Sequence, residues 1–292
     1  MIKNILKKII PSYYVDRIRV YRKNKRFAKR FLYNNGEVFF KKIETLGVSF
    51  EILLNPFLNS GVDEAIAEFG YWEPKVAEQI KKILSAGGTF IDIGANIGYH
   101  SLLAAKILGD KGRVYSFEPQ DAIYHQFMKS LAKNNLKNVT VYNTALSDHS
   151  GGSTLYIREE NSGGSTLLKL PNMESFHVDS SLEVSLVVLD SYIDRFSLVD
   201  LIKIDVEGHE YEVFKGGQKL LSTYHPTIIM EFSPVFYIQD YAHKAEDLID
   251  FLKTLGYTFF DMSEKPIDLN LWLQVGSNRT SQIDVICKYK FS

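Results

Sequence analysis

Cysteine is nearly absent from this sequence: one residue, Cys287, among 292. One thiol cannot close an internal disulfide, so the fold must hold without covalent staples, and a thiol within the apolar alternation Ile283, Val285, Cys287 fits a reducing compartment. Long apolar runs are missing too. No stretch approaches the roughly 20 residues of a membrane-spanning helix, and the start lacks an apolar run ending in a small-residue cleavage site. These absences give the expectation of a soluble, cytoplasmic protein. Neither an internal repeat nor a low-complexity tract occurs. Net charge is almost absent as well, at −1, but that figure conceals a division. The first 30 residues carry 11 Lys and Arg against one acid, Asp16, which makes this arm +10 and the remainder −11.

The arm places Ile2, Ile5, Leu6, Ile9 and Ile10 at helical spacing before Pro11. Such a basic amphipathic segment suits either peripheral contact with an anionic membrane or protein partner, or packing back on the acidic body. Nucleic acid is not an expected partner, because basic clusters alone are poorly specific and an acidic body repels a phosphate backbone.

What is present is apolar mass, 45% hydrophobic and 13% aromatic, enough to bury a large core without a structural metal. The expected organisation is a basic helical arm over 1–32, a small strand or cap segment over 33–72, and a main domain over 73–292. In the middle segment, Val38 to Phe40 and Val48 to Leu54 read as a strand pair that Asn55-Pro56 ends. Helical spacing over Glu73 to Leu84, with Pro74 early and Gly87-Gly88 as the stop, opens the main domain.

From there, short apolar runs alternate with amphipathic ones. Strands are expected at Thr89 to Ile93, Arg113 to Phe117, Val139 to Asn143, Leu201 to Ile204, Thr227 to Glu231 and Tyr257 to Phe260. Helices fall between them at Ile97 to Ile107, Asp121 to Asn134, Glu210 to Leu221 and Lys244 to Leu255. A seventh strand, Ile283 to Tyr289, would pair antiparallel beside Tyr257 to Phe260. The pattern predicts a doubly wound, mostly parallel α/β sheet of Rossmann-like type. Residues 146–199 break the period with paired glycines and alternating stretches, and read as a β-rich insertion suited to a substrate site.

Three motifs carry the chemistry. In the first, an apolar strand runs into Asp92-x-Gly94-x-Asn96-x-Gly98 and then straight into a helix, so a ligand can approach the backbone closely. Dinucleotide turns read Gly-x-Gly-x-x-Gly instead. An acid before the first glycine repels a pyrophosphate but attracts an amino acid's ammonium, which favours S-adenosylmethionine over a nicotinamide cofactor. In the second, Glu118-Pro119 ends the next strand, where an acid accepts both hydroxyls of a ribose. The third, Lys203-Ile204-Asp205-Val206-Glu207-Gly208-His209-Glu210, puts Asp205 at a central strand end. It also puts Glu207, His209 and Glu210 at a helix entrance, where acids also complement the helix dipole.

Together with Ala145-Leu146-Ser147-Asp148, these motifs resemble the FkbM-type methyltransferases over about Gly70 to Pro234. The resemblance implies a class I methyltransferase fold, S-adenosylmethionine as methyl donor, and O-methylation of a sugar, glycan or secondary-metabolite hydroxyl. Carried over by position, Asp92, Gly94, Asn96 and Gly98 would line the methionine end of the donor, Glu118 its ribose, and Thr144 and Ala145 the adenine edge. Asp205 would face the methyl group with Glu231 beside it, and Glu207 and His209 complete the catalytic candidates. His209 has a proton affinity suited to a base, although a histidine at a helix start is also commonly a packed residue. His100 is expected to pack or touch the donor. Two carboxylates are fewer ligands than Mg²⁺ requires, so a divalent metal is the secondary reading beside a carboxylate base. The rival functions are a nicotinamide oxidoreductase and a non-catalytic relative that binds a glycan or partner.

Overall fold

The structure, a computed structural model, describes residues 38–55, 60–157, 164–168, 180–237, 245–275 and 281–290. The expected basic arm lies outside these residues, as do the first residues of the 33–72 segment. β1 (Phe39–Thr45) and β2 (Val48–Leu54) form a two-stranded sheet. There follow α1 (Ser60–Phe69), α2 (Pro74–Ile83), β3 (Thr89–Ile93), α3 (Tyr99–Leu108), β4 (Arg113–Phe117), α4 (Asp121–Lys133) and β5 (Val139–Tyr142). The insertion holds β6 (Ala145–Ser147), β7 (Gly151–Ile157) and β8 (Ser180–Val188) in a separate three-stranded sheet. After it come β9 (Leu201–Ile204), α5 (Glu210–Gly216), α6 (Gln218–Tyr224), β10 (Thr227–Phe232), α7 (Ala245–Thr254), β11 (Tyr257–Phe260), α8 (Leu269–Trp272) and β12 (Ile283–Tyr289).

The main sheet has seven strands in the order β11-β12-β10-β9-β3-β4-β5. From β10 to β5 every pairing is parallel. β12 does pair antiparallel with β11, as expected, but it also inserts between β11 and β10 and pairs antiparallel with both. All residues of the central strands β3 and β9 are buried, as a strand covered by helices on both faces must be. The chain runs outward from β3 through β4 to β5, then returns to β9 on the other side of β3. This reversal opens a crevice beyond the carboxyl ends of β3 and β9.

Register decides what stands at that crevice. Ile93 pairs with Phe117 on one side and Ile204 on the other, and Ile204 with Met230. The next residue on each strand, Gly94, Glu118, Asp205 and Glu231, is therefore level with the others along one edge.

Three expectations on the elements need correction. The helix expected at Ile97 begins at Tyr99, because Gly98 is held at φ +85° before it. The single helix expected from Glu210 to Leu221 is two, α5 and α6, since Gly216 lies against β6 so closely that a Cβ would be 2.1 Å from the Ser147 carbonyl oxygen. The 33–72 segment also contains a helix, α1, whose acids Asp63 and Glu64 are buried. Among the described residues, no helix is long and apolar enough to cross a membrane.

Candidate functional site

A cavity of about 660 Å³ occupies the crevice. Its floor is the turn after β3. Gly94 (φ +76°) and Ala95 donate their amides to the Phe117 carbonyl at 3.1 and 3.0 Å, while Asp205 N donates to Ile93 O at 3.1 Å. The turn thus lies against both neighbouring strand ends, and a Cβ on Gly94 would stand 1.9 Å from the Asp205 carbonyl oxygen. Asn96 (φ +51°) donates its amide to Glu118 Oε2 at 2.9 Å and accepts from Ile97 N at 2.8 Å through its own side chain. Gly98 has no room for a side chain, since a Cβ would be 2.1 Å from the Phe127 ring.

Glu118 is buried and spans the turn. Its Oε1 accepts from Gln120 N at 2.8 Å while Oε2 takes Asn96 N. Burial raises its pKa to about 7 against these two amides, with Asp92 nearby adding to the rise. Each carboxylate oxygen retains a lone pair for a further donor.

At the other side of the cavity, carboxylates gather. Glu73, Asp205 and Glu231 each bring an oxygen to within 4.8 Å of the other two. Lys203, on β9 two residues before Asp205, is buried among them with Nζ 3.3 Å from Asp205 Oδ2. Glu73 sits at φ +40°, an uncommon conformation for a residue with a side chain, and its Oε2 meets His100 Nε2 at 2.8 Å. Burial works to raise the Glu73 pKa, but Lys203 and His100 together bring it down to about 2. Glu231 moves the other way, to about 8, through burial and the neighbouring charge of Asp205. Its Oε1 accepts from Ser233 Oγ at 3.0 Å and Gln282 Nε2 at 2.8 Å. Asp205 is raised too, by burial first, against the opposing pull of Lys203.

The loop from Asp205 to Glu210 closes the wall. The buried Glu210 carboxylate accepts from Val206 N, Gly208 N and Tyr237 OH at 3.2, 3.3 and 3.0 Å, so this acid pins its own loop. Glu207 (φ +51°) lines the cavity, and its carbonyl accepts from Thr166 Oγ1 of the insertion at 2.7 Å. Leu155, Ser165 and Leu167 of the same insertion also line the cavity.

Set beside known proteins, residues 92–259 match the family model of the Methyltransferase FkbM domain. The chain belongs to the FkbM methyltransferase family. Similar solved structures include methyltransferase FkbM from Methylobacillus flagellatus KT, at 15% identity and a TM-score of 0.43, covering 78% of this chain and 54% of that one. A SAM-dependent methyltransferase from Aquifex aeolicus is 16% identical with a TM-score of 0.41, covering 78% and 94%. A SAM-dependent O-methyltransferase from Thermotoga maritima is 13% identical with a TM-score of 0.41, covering 88% and 78%. The chain thus spans about half the length of the Methylobacillus protein. A comparison of the sequence with curated proteins finds no match.

Of the residues expected at the site of this FkbM-family protein, Gly94, Asn96, Glu118, Ala145, Asp205, Glu207, His209 and Glu231 line the one cavity. Two do not. Asp92 stands behind the turn, 1% exposed, because Ser101 on α3 captures its Oδ2 at 2.5 Å and in turn meets Ser116 Oγ at 2.8 Å. Thr144 is turned into the insertion, where its hydroxyl donates to Ser185 O at 2.7 Å. His209 reaches the wall, but its Nε2 meets Ser147 Oγ at 3.0 Å and burial lowers its pKa to about 4.

Glu73, Lys203 and Gln282 escaped the sequence reading as site residues. Glu73 precedes a helix-starting proline, and nothing local signals that it folds over a cavity. Lys203 lay in plain view within the third motif, where a charge in a four-residue central strand was the signal that it had a buried partner.

Proposed function

We propose that this protein transfers a methyl group from S-adenosylmethionine to a hydroxyl group, borne by a sugar, a glycan or a secondary metabolite. The observation that carries this reading is the joining, in one cavity, of a glycine-rich turn braced by Glu118 with a carboxylate cluster on the adjacent strand ends. The residues fit such a donor: Glu118 keeps acceptor capacity for ribose hydroxyls, the turn at Gly94 to Ile97 presents backbone, and Ala145 and Leu146 give an apolar side for an adenine. Asp92 supports the turn through Ser101 rather than by touching the donor.

When bound, S-adenosylmethionine would supply an electrophilic methyl carbon whose bond to the positively charged sulfur breaks as the bond to the acceptor oxygen forms, leaving neutral S-adenosylhomocysteine. The protein's part is to orient that oxygen and accept its proton. Glu231 suits the second task. With its pKa raised to about 8, the ionised form of Glu231 is a stronger base than an exposed carboxylate, and because most of the group carries a proton at pH 7, turnover should rise with pH toward 8. Ser233 and Gln282 hold Oε1 and leave Oε2 for the acceptor. His209 suits it less, because burial has made it a weak base and Ser147 engages its Nε2. Asp205 and Glu207 would orient the acceptor. The acidic wall favours a neutral acceptor over an anionic one.

The reading is tested by mass spectrometry across a panel of hydroxylated glycans and metabolites, scored for the mass of one added methyl group with S-adenosylhomocysteine formed in step. With an acceptor in hand, Glu231→Gln should lower turnover roughly 10²–10⁴-fold, the scale of losing a positioned base. If calorimetry finds no affinity for S-adenosylhomocysteine, the reading fails at its first step.

A further inference from the structure

Glu73, Asp205 and Glu231 come from three separate parts of the chain, the entrance to α2 and the ends of β9 and β10, and meet within 4.8 Å. A fourth acid, Asp284 on β12, pairs directly across from Glu231, a placement of like charges that destabilises a sheet by itself. Ionising these acids together demands a cation. The usual candidate is a divalent metal, which brings oxygen ligands to about 2 Å and completes a shell of six with water or substrate.

The cluster already contains a cation. Lys203 is only 6% exposed, and burying an ammonium is costly unless charge compensates it. Burial works to lower its pKa, yet Asp205, Glu73 and Asp92 outweigh burial and raise it, so the side chain stays charged. Its Nζ is 3.3 Å from Asp205 Oδ2, the lowering influence of Lys203 reaches Glu73, Glu231 and Asp284, and its partner across the sheet is Asp92. A dication sharing the Asp205 carboxylate would stand close to this ammonium, in a buried setting that screens their repulsion weakly.

We propose that Lys203 is the built-in cation of the site: a positioning residue whose ammonium holds Asp205 toward Glu73 and Glu231 and takes the electrostatic place of a divalent metal. The proposal deepens the methyl-transfer reading and rests on it only for the consequence that proton removal from the acceptor proceeds without a metal. Charge, position and burial are all supplied by the strand itself. Lys203 cannot leave the site as a metal can, because its backbone is hydrogen-bonded into the middle of the sheet.

The test reads the cluster directly, with Mn²⁺ as the probe and no acceptor needed. Mn²⁺ is titrated into the full chain and followed by the loss of the free ion's paramagnetic resonance signal, for the unaltered protein, Lys203→Met and Lys203→Arg. Circular dichroism and S-adenosylhomocysteine affinity report whether each variant is folded. The unaltered protein and Lys203→Arg should leave the signal of free Mn²⁺ intact, whereas Lys203→Met, with the carboxylates uncompensated, should bind it at least about tenfold more tightly. A purely structural lysine would change stability without creating Mn²⁺ affinity. Binding of Mn²⁺ by the unaltered protein that Asp205→Asn abolishes would overturn the proposal, whether or not Lys203→Met folds. So would a folded Lys203→Met that binds Mn²⁺ no better than the unaltered chain. Failure of S-adenosylhomocysteine to bind the unaltered protein would instead sink the methyl-transfer reading and leave the charge assignment standing.

Discussion

Replacing Gly94 by alanine perturbs the fold and the site at one atom. The new Cβ would lie 1.9 Å from the Asp205 carbonyl oxygen, where ordinary contact begins near 3.4 Å, so the turn and the end of β9 must separate by about 1.5 Å. The Cβ is fixed by the backbone and the carbonyl oxygen is itself backbone, so no rotamer change relieves the clash. The φ of +76° adds the cost of a left-handed conformation, about 1–2 kcal/mol, to overpacking of about 1–3 kcal/mol. A total loss of about 2–5 kcal/mol is expected from urea denaturation, or a fall in melting temperature of roughly 5–15 °C for a domain of this size. Gly70→Ala is the control, because Gly70 has φ +79° with nothing within 4 Å of a Cβ. It should lose only the conformational part, about 1–2 kcal/mol. Calorimetry should show Gly94→Ala also losing S-adenosylhomocysteine affinity by about tenfold or more, since a displacement of this size spoils a positioned ligand, with Gly70→Ala unchanged. Equal losses in the two variants would refute the claim that close approach of β3 and β9, rather than φ alone, requires glycine here.

Glu118→Ala should weaken S-adenosylhomocysteine binding by about 1–3 kcal/mol in calorimetry, the worth of hydrogen bonds to a charged group; unchanged affinity would remove the ribose assignment. A pH dependence follows from Asp63, a buried acid whose pKa burial raises to about 8 while Asn55 N and the Gln126 amide bind its Oδ1. The folded protein keeps a proton there that the unfolded chain releases near pH 4, so this contribution is full below that value and lost as pH rises toward 8, at about 1.4 kcal/mol per pH unit. Urea denaturation from about pH 5 to pH 8 should therefore show Asp63→Asn gaining on the unaltered protein as pH rises. A difference between the two that stays constant over that range would show that Asp63 is ionised in the fold.

The strands beneath the site were readable to the residue at β3, β4, β9, β11 and β12, because short β-favouring runs there are bracketed by glycine or charge; only β3 and β9 are buried throughout, and each carries one charge, Asp92 and Lys203, inside its apolar run. The turn at Gly94 and Gly98 was readable for a related reason: its backbone geometry is local, and glycine is the residue that tolerates it. Glu118, Asp205 and Glu231 could be placed at strand ends for the same cause, and the sheet's register then brought them level. Local pattern alone therefore determined the α/β sheet, the crevice and half of its wall. The other half depends on contacts between residues far apart in the chain. Gly216 reads as a mere helix residue until Ser147 lies against it, and Asp92 as a ligand group until Ser101 draws it behind the turn. Glu73 and Lys203, 130 positions apart, meet only once α2 and β9 are packed, and no periodicity records that meeting. Charge acts through space rather than along the chain, so the sequence by itself determined which carboxylates end strands, and only the tertiary structure decided which of them share a cation.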